Sequence, residues 1–367
     1  MLTHNAQNER LKRQYFNWLR EAKGRSAASI DIVAKALNRF EIHSRFRDFK
    51  GFHKDQAKAF KAHLAGQAAQ RSGKPLSAAT ICSTLLALKA FYHWLADQPG
   101  HKSRVAHGDV EYLSPSEKDL HIARGRQDRA GPSIEQVRHV LQTMPTGTDI
   151  ERRDRAVVAF ALLTAARDGA MVSFRMKHVN LTEQLVTQDS REVRTKRSKS
   201  FATWFYPVGD DIRAIATDWV EYRIREMHAG PDDPLFPATR LQQGASHSFR
   251  VAGLDGARGW NTAGPIRKIF KEAFARAGLP YYHPHSFRKT ITQLGSQVCT
   301  SPEEFKSWSQ NMGHEAVLTT FTAYLTVPPD RQAALIRSLG NPRPQSDEAL
   351  AELLAAANKV QRSMARR

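Results

Sequence analysis

The sequence predicts a mainly α-helical protein with a small β-sheet, an α+β chain of two domains. Apolar residues recur at three-to-four-residue spacing through most of the chain, the period of an amphipathic helix. One short stretch, Phe201-Ala-Thr-Trp204-Phe-Tyr206-Pro207, is aromatic and β-branched, as strands are. Between Gly100 and Pro132 the periodicity disappears. With 367 residues there is length for two sizeable cores.

Residues 1–100 read as four helices. Leu11, Tyr15, Trp18 and Leu19 share one face, and Ile30, Val33, Leu37 and Phe40 share another. Ala57, Phe60 and Leu64 give a third, while Ser77 caps a fourth that carries Ile81, Leu85, Leu88, Tyr92 and Leu95 up to Pro99-Gly100. These aromatics are read as core. Arg10, Lys12, Arg13, Arg25, Lys35, Arg39, Arg45, Arg47, Lys58 and Lys61 fall on the other faces.

Residues 101–132 are polar, basic and glycine-bearing, and are read as an interdomain linker. Ser133 caps a helix with Ile134, Val137, Val140 and Leu141, which opens a second domain over 133–340. An apolar run follows, Ala156-Val-Val-Ala-Phe160-Ala-Leu-Leu-Thr164-Ala-Ala-Arg167-Asp-Gly169, and then a short helix over 171–181. Glu192–Lys196 and Phe201–Pro207 read as the two arms of a hairpin with the basic turn Arg197-Ser-Lys199-Ser between them. Helices are predicted over 211–227 and 266–277, with a Gly/Pro/Ser-rich surface insertion over 230–265. A short helix near Arg331–Gly340 precedes Asn341-Pro-Arg-Pro344, and residues 341–367 form a tail helix with a seam of Leu350, Leu353, Leu354, Ala357, Val360 and Met364. A helix that long is marginal alone, so it is expected to dock, on a neighbouring protomer.

Composition narrows the partners. Lys and Arg number 55 against 36 Asp and Glu, a formal +19 with a pI near 10.1, the balance of a polyanion binder. Ribosomal proteins and RNA enzymes share that balance. Cys82 and Cys299 are too few for a disulfide framework or a thiolate zinc site. Neither a long apolar segment nor a signal-type N-terminus is present, so no membrane partner is expected and a cytoplasmic, nucleoid-associated location is.

The most informative stretch is His283-Pro-His285-Ser-Phe-Arg288-Lys, followed by Asn311-Met-Gly313-His314-Glu and Thr319-Thr320-Phe-Thr-Ala-Tyr324. A phenol with a pKa near 10 attacks poorly at neutral pH unless a base or a positive field assists it, and a phosphodiester needs cations on its non-bridging oxygens. This stretch supplies both. It resembles the C-terminal part of the tyrosine recombinases, the integrase family, and the run ending in Arg167 resembles the family's Thr-Gly-x-Arg segment. The resemblance implies an N-terminal helical core-binding domain and a catalytic domain that cuts and rejoins double-stranded DNA through a covalent 3′-phosphotyrosyl intermediate. Tyr324 would be the nucleophile, with Arg167, Arg288 and His314 on the phosphate oxygens and His285 assisting proton removal. A lysine of the hairpin would protonate the leaving 5′-hydroxyl; Lys196 matches best and Lys199 is its rival. No cofactor, metal or ATP is implied. A homo-tetramer on paired sites is, and so is a role in mobile-element recombination, with accessory proteins possible.

Taken singly, each residue has a plainer reading. Arg167 could cap its helix, and His285 or His314 could be buried, satisfied histidines. His283, His285 and His314-Glu315 could be ligands of a metal-dependent nuclease, although no His-x-x-x-His or His-Glu-x-x-His accompanies them. A DNA-binding protein on a decayed recombinase scaffold is the other alternative. The chain departs from the family twice. Ala170 stands where many members carry an acid three positions after the first arginine, with Asp168 nearby, and His314 to Tyr324 is ten residues, one longer than the common spacing.

Overall fold

The computed structural model describes residues 4–68, 73–125, 130–195, 199–243 and 249–313. The tail helix, the helix near Arg331–Gly340 and three of the proposed site residues, Lys196, His314 and Tyr324, lie outside them. The chain divides into two compact units, Met1–Gln127 and Asp128–Arg367.

The first unit is helical throughout: α1 (Ala6–Glu21), α2 (Ala27–His43), α3 (Lys54–Gly66), α4 (Ala78–Ala96), α5 (His107–Val110) and α6 (Glu117–Arg124). Asn5, Ser26 and Ser77 accept hydrogen bonds from the first-turn amides of α1, α2 and α4, satisfying donors that a helix start leaves open. Tyr15, Phe40, Phe49, Phe60, Phe91 and Tyr92 pack into one aromatic core. The predicted apolar faces point into it.

Two expectations for this unit are corrected. The stretch read as a linker from 101 is folded: Val105, Val110 and Leu113 are fully buried in the core, and Ser116 caps α6. The period is lost there because α5 and the 3-10 turn after it, Glu111–Leu113, are each too short to show one. Three residues of the basic face also hydrogen-bond to distant parts of the unit. Lys12 donates to Glu41, a carboxylate buried with Asn8, at 2.7 Å; Arg39 donates to Thr84; and Lys61 donates to the Ser114 carbonyl. Arg10, Arg13, Arg25, Lys35, Arg45, Arg47 and Lys58 are exposed.

The second unit holds α7 (Ile134–Thr143), α8 (Asp149–Thr164), α9 (Asp168–Met171), β1 (Val179–Asn180), β2 (Leu185–Gln188), β3 (Phe201–Trp204), α10 (Asp210–Arg225), β4 (Pro237–Gln243), β5 (Phe249–Gly259), α11 (Gly264–Arg276), α12 (Phe287–Val298) and α13 (Pro302–Asn311). Capping boxes start α7 (Ser133 with Gln136), α8 (Thr148 with Glu151) and α13 (Ser301 with Glu304). Residues Ala156 to Thr164 of α8 are all buried, so this helix is the axis of the core, as its uninterrupted apolar run requires. Mostly helical with small antiparallel sheets, the architecture is the predicted one.

Its sheets differ in detail from the sequence reading. β2, not Glu192–Lys196, pairs with β3, in the register Leu185↔Trp204 to Gln188↔Phe201. Val186 and Gln188 point inward, and Gln188 donates to Thr203. Residues 189–195 are held by polar contacts instead: Glu192 pairs with Lys177 at 2.7 Å and His178 at 2.8 Å, and the Arg194 amide donates to Ser173. The helix expected over 171–181 ends at Met171 and gives way to a 3-10 turn and β1. The expected surface insertion contains the antiparallel pair β4 and β5, rooted by buried Leu235, Phe236 and Trp260. Arg153 holds its base, donating to the Pro237 carbonyl and Thr239 while lying 4.9 Å over the Trp260 ring. Register shifts and Gly253, at φ +98°, break the two-residue alternation that marks a strand.

Candidate active site

The site begins where α8 stops. Thr164 turns its hydroxyl back to the Phe160 carbonyl and accepts from the Ala166 amide, and Ala165 takes a left-handed conformation at φ +48°. A left-handed residue ends a helix by reversing the chain, so Arg167 emerges at the corner, as the N-cap of the one-turn α9. Thr164-Ala-Ala-Arg167 thus places an alanine where the family's segment has glycine, in the backbone region glycine prefers.

Arg288, in the first turn of α12, is 3% exposed. Its guanidinium donates to the Ala165 carbonyl and to the Met312 carbonyl, each at 2.7 Å. One side chain therefore ties the end of α8 to the end of α13, one residue before Gly313. Thr290, a half-turn on, donates to the Pro132 carbonyl at 2.6 Å, and a Cβ on Gly131 would lie 2.7 Å from both Thr290 Oγ1 and the Ser286 carbonyl. This packing fixes α12 against the start of the unit.

His285 sits in the 3-10 turn Pro284–Ser286, its amide donating to His283 Nδ1 at 3.1 Å. The residue is exposed overall, yet its imidazole is crowded by neighbouring groups and loses part of its solvation. That lost solvation, then the guanidiniums of Arg288 and Arg167 and then His283, push its pKa down to about 4, with Asp168 opposing. His285 is therefore neutral at pH 7 and able to accept a proton. His283 is lowered too, mainly by lost solvation.

Of the six predicted residues, Arg167, His285 and Arg288 come together. Lys196, His314 and Tyr324 lie outside the described residues, but the segments leading to them are anchored. The Arg194 carbonyl passes 3.8 Å from where a Cβ on Gly169 would be, which brings the stretch before Lys196 beside the Arg167 corner. On the other side, Asn311 pairs with the main chain of Trp204, accepting at 2.8 Å and donating at 2.9 Å, while Thr203 donates to the Asn311 carbonyl. Gly313, at φ +72°, lies so close to Phe201 that a Cβ would meet its ring at 2.6 Å. The sheet and the end of α13 up to Gly313 are thus locked together. Asn311 had no role in the sequence reading, although it lies within the motif; an amide that binds a strand across 107 residues leaves no local pattern.

Among the described residues no group of three or more His, Cys, Asp or Glu is placed to hold a metal ion, and His314-Glu315 lies outside them. No described helix is long and apolar enough to cross a membrane.

A family model described as the phage integrase family matches residues 133–330, more than half of the chain. The chain belongs to the phage integrase family. Tyrosine recombinase XerC of Escherichia coli is 22% identical over 248 residues, covering 67% of this chain and 70% of the relative. Among solved structures, XerH site-specific recombinase bound to a palindromic difH substrate superposes with a TM-score of 0.58 at 15% identity, over 90% of this chain and 85% of that one. A lambda integrase dimer bound to a COC′ core site gives 0.56 at 12% identity, over 86% and 94%. At such identities these structures share the fold. Family membership makes the chain an enzyme of the tyrosine-recombinase class, acting in DNA recombination.

Proposed function

We propose that the chain cuts and rejoins DNA at specific sites through a covalent 3′-phosphotyrosyl link to Tyr324. The observation that carries this reading is the convergence of Arg167, Arg288 and His285 at one corner, with Arg288 bonded one residue short of Gly313-His314. Tyr324 attacks the scissile phosphorus as its phenol proton passes toward neutral His285. Arg167, Arg288 and His314 hold the non-bridging oxygens, where charge grows in the transition state. Lys196 delivers a proton to the departing 5′-oxygen. One phosphate ester replaces another, so the bond is conserved in the protein–DNA link and neither ATP nor a metal ion is needed. Attack by a different 5′-hydroxyl then gives the recombined strand.

The exposed basic residues of the first unit give it a surface for DNA phosphates, in keeping with a core-binding role. Exchange needs two duplexes held together, hence four protomers. The test is a nicked duplex that loses its 5′-hydroxyl fragment, incubated in EDTA without ATP. The chain should be trapped on the 3′-phosphate, and Tyr324→Phe should bind DNA yet form no adduct, since Lys and Arg contacts supply most of the affinity. Cleavage lost in EDTA but kept in Tyr324→Phe would instead indicate a metal nuclease. No adduct from either protein would indicate a binding scaffold.

A further inference from the structure

We propose that Arg267 is a positioning residue for Arg167, acting through Asp168; this rests on the phosphotyrosyl reading above. Asp168 directly follows Arg167, and its carboxylate makes two attachments. Oδ1 accepts the Gly169 amide at 2.9 Å, and Oδ2 accepts both Nε and Nη2 of Arg267, at 2.9 and 2.8 Å. Arg267 projects from α11, which is seated in the core by fully buried Ile266 and Phe270.

The corner needs such an anchor. α9 is four residues long and follows the left-handed Ala165, and a single helical turn does not hold itself. Ala170, at the position where many family members carry an acid, is a methyl 1% exposed and can bind nothing polar. The ion pair adds a polar constraint two residues earlier. Adjacent Cα atoms are about 3.8 Å apart, so fixing Asp168 fixes the origin of the Arg167 side chain. Both partners also act on the catalytic side of the corner: Asp168 raises His283 and Arg267 lowers it. Asp168 is mostly buried, its side chain 19% exposed, whereas that of Arg267 is 52% exposed. Arg267 could therefore contact a DNA phosphate directly, and the experiment must separate the two roles.

The full chain is assayed for single-turnover adduct formation on a nicked duplex carrying its own site, taken from a sequencing map of where the protein attaches covalently to genomic DNA. Displacement of a group by about 1 Å can cost around 10²-fold in rate, so at saturating protein Arg267→Ala and Asp168→Ala should each slow adduct formation by about 10- to 10²-fold. The double variant should be no slower than the slower single one, because both changes break one linkage. Arg267→Lys should recover part of the rate, and DNA affinity and its salt slope should stay as in the wild type. A salt slope reduced by about one phosphate contact, with an unchanged rate at saturation, would overturn the proposal in favour of direct DNA contact. Multiplying losses would overturn it by showing independent roles, and unchanged rates would reduce the pair to a surface ion pair. Wild-type protein that forms no adduct would sink the Tyr324 reading itself, and this proposal with it.

Discussion

Replacing Arg288 by methionine should unfold the second unit at markedly lower temperature, even without DNA. The substitution keeps the length of the stem and removes the guanidinium, so among the described residues the loss includes the two 2.7 Å bonds to the Ala165 and Met312 carbonyls. A buried carbonyl left without its donor costs about 1–3 kcal/mol, giving about 2–6 kcal/mol for two. Releasing a guanidinium that is 3% exposed from its own desolvation offsets part of this, and a net loss of about 2–4 kcal/mol remains. For a unit of this size that is a fall in Tm of roughly 5–15 °C. Arg288→Lys should lose about half as much, because one ammonium cannot bridge both carbonyls with the geometry of a fork. The measurement is thermal unfolding of DNA-free protein followed by near-UV circular dichroism. If Arg288→Met melts within about 1 kcal/mol of the wild type, the bridge does not hold the two helix ends together. Arg288 would then matter only when phosphate is present.

Gly313→Ala should cost about 1–3 kcal/mol by urea unfolding, from a left-handed φ of +72° and a Cβ 2.6 Å from the Phe201 ring, and Phe201→Leu should recover part of it. Because folded His285 titrates near 4 rather than 6.5, the unfolded chain takes up the proton first; stability should be full above about pH 6.5, fall between 6.5 and 4, and fall less steeply in His285→Gln. Nuclear magnetic resonance titration should also show His285 rising when a DNA phosphate joins the two guanidiniums. Lys196→Ala should slow cleavage by roughly 10²–10⁴-fold, with most of that recovered on a substrate whose 5′-thiol leaving group needs no proton. If Lys199→Ala is the variant so recovered, the proton donor is Lys199.

The helices were legible because their signals are local. Ser77 and Ser133 mark helix starts by their own chemistry, and the 3.6-residue period survives any tertiary arrangement. What escaped the sequence was whatever depends on distant partners. Leu185–Gln188 is only four residues long, and its partner β3 was assigned instead to Glu192–Lys196, a stretch whose carboxylate is taken by Lys177 and His178. The β4–β5 pair was hidden by its glycines and register shifts, although Leu235, Phe236 and Trp260 root it in the core. The same division runs through the site. Arg167, His285 and Arg288, which the structure brings together, could each be picked out along the chain, whereas the bridge from Arg288 to carbonyls 123 and 24 residues away could not. Neither could the ion pair between Asp168 and Arg267, 99 residues apart.

These distant contacts bear on the chemistry because the site is electrostatically unfavourable on its own. Lost solvation first, and then the nearby guanidiniums of Arg288 and Arg167, push the pKa of His285 down to about 4, so the corner gathers positive charge. Like charges on mobile side chains would spread apart. Arg288 cannot, because it is buried between two carbonyls, one in the turn that leads to Arg167 and the other one residue before Gly313. The fold thus supplies the force that keeps the cations together, and it does so before DNA arrives. On the proposed reading, a phosphate entering this corner meets donors already in place, and the stabilisation of its developing charge is not diminished by reorganising them. Lost solvation and that field together keep His285 unprotonated, as its proposed part in the reaction requires. Weakening the Arg288 bridge should therefore reduce the rate of strand cleavage by more than it reduces DNA affinity, since affinity draws on phosphate contacts along the whole duplex and the rate depends on this one corner.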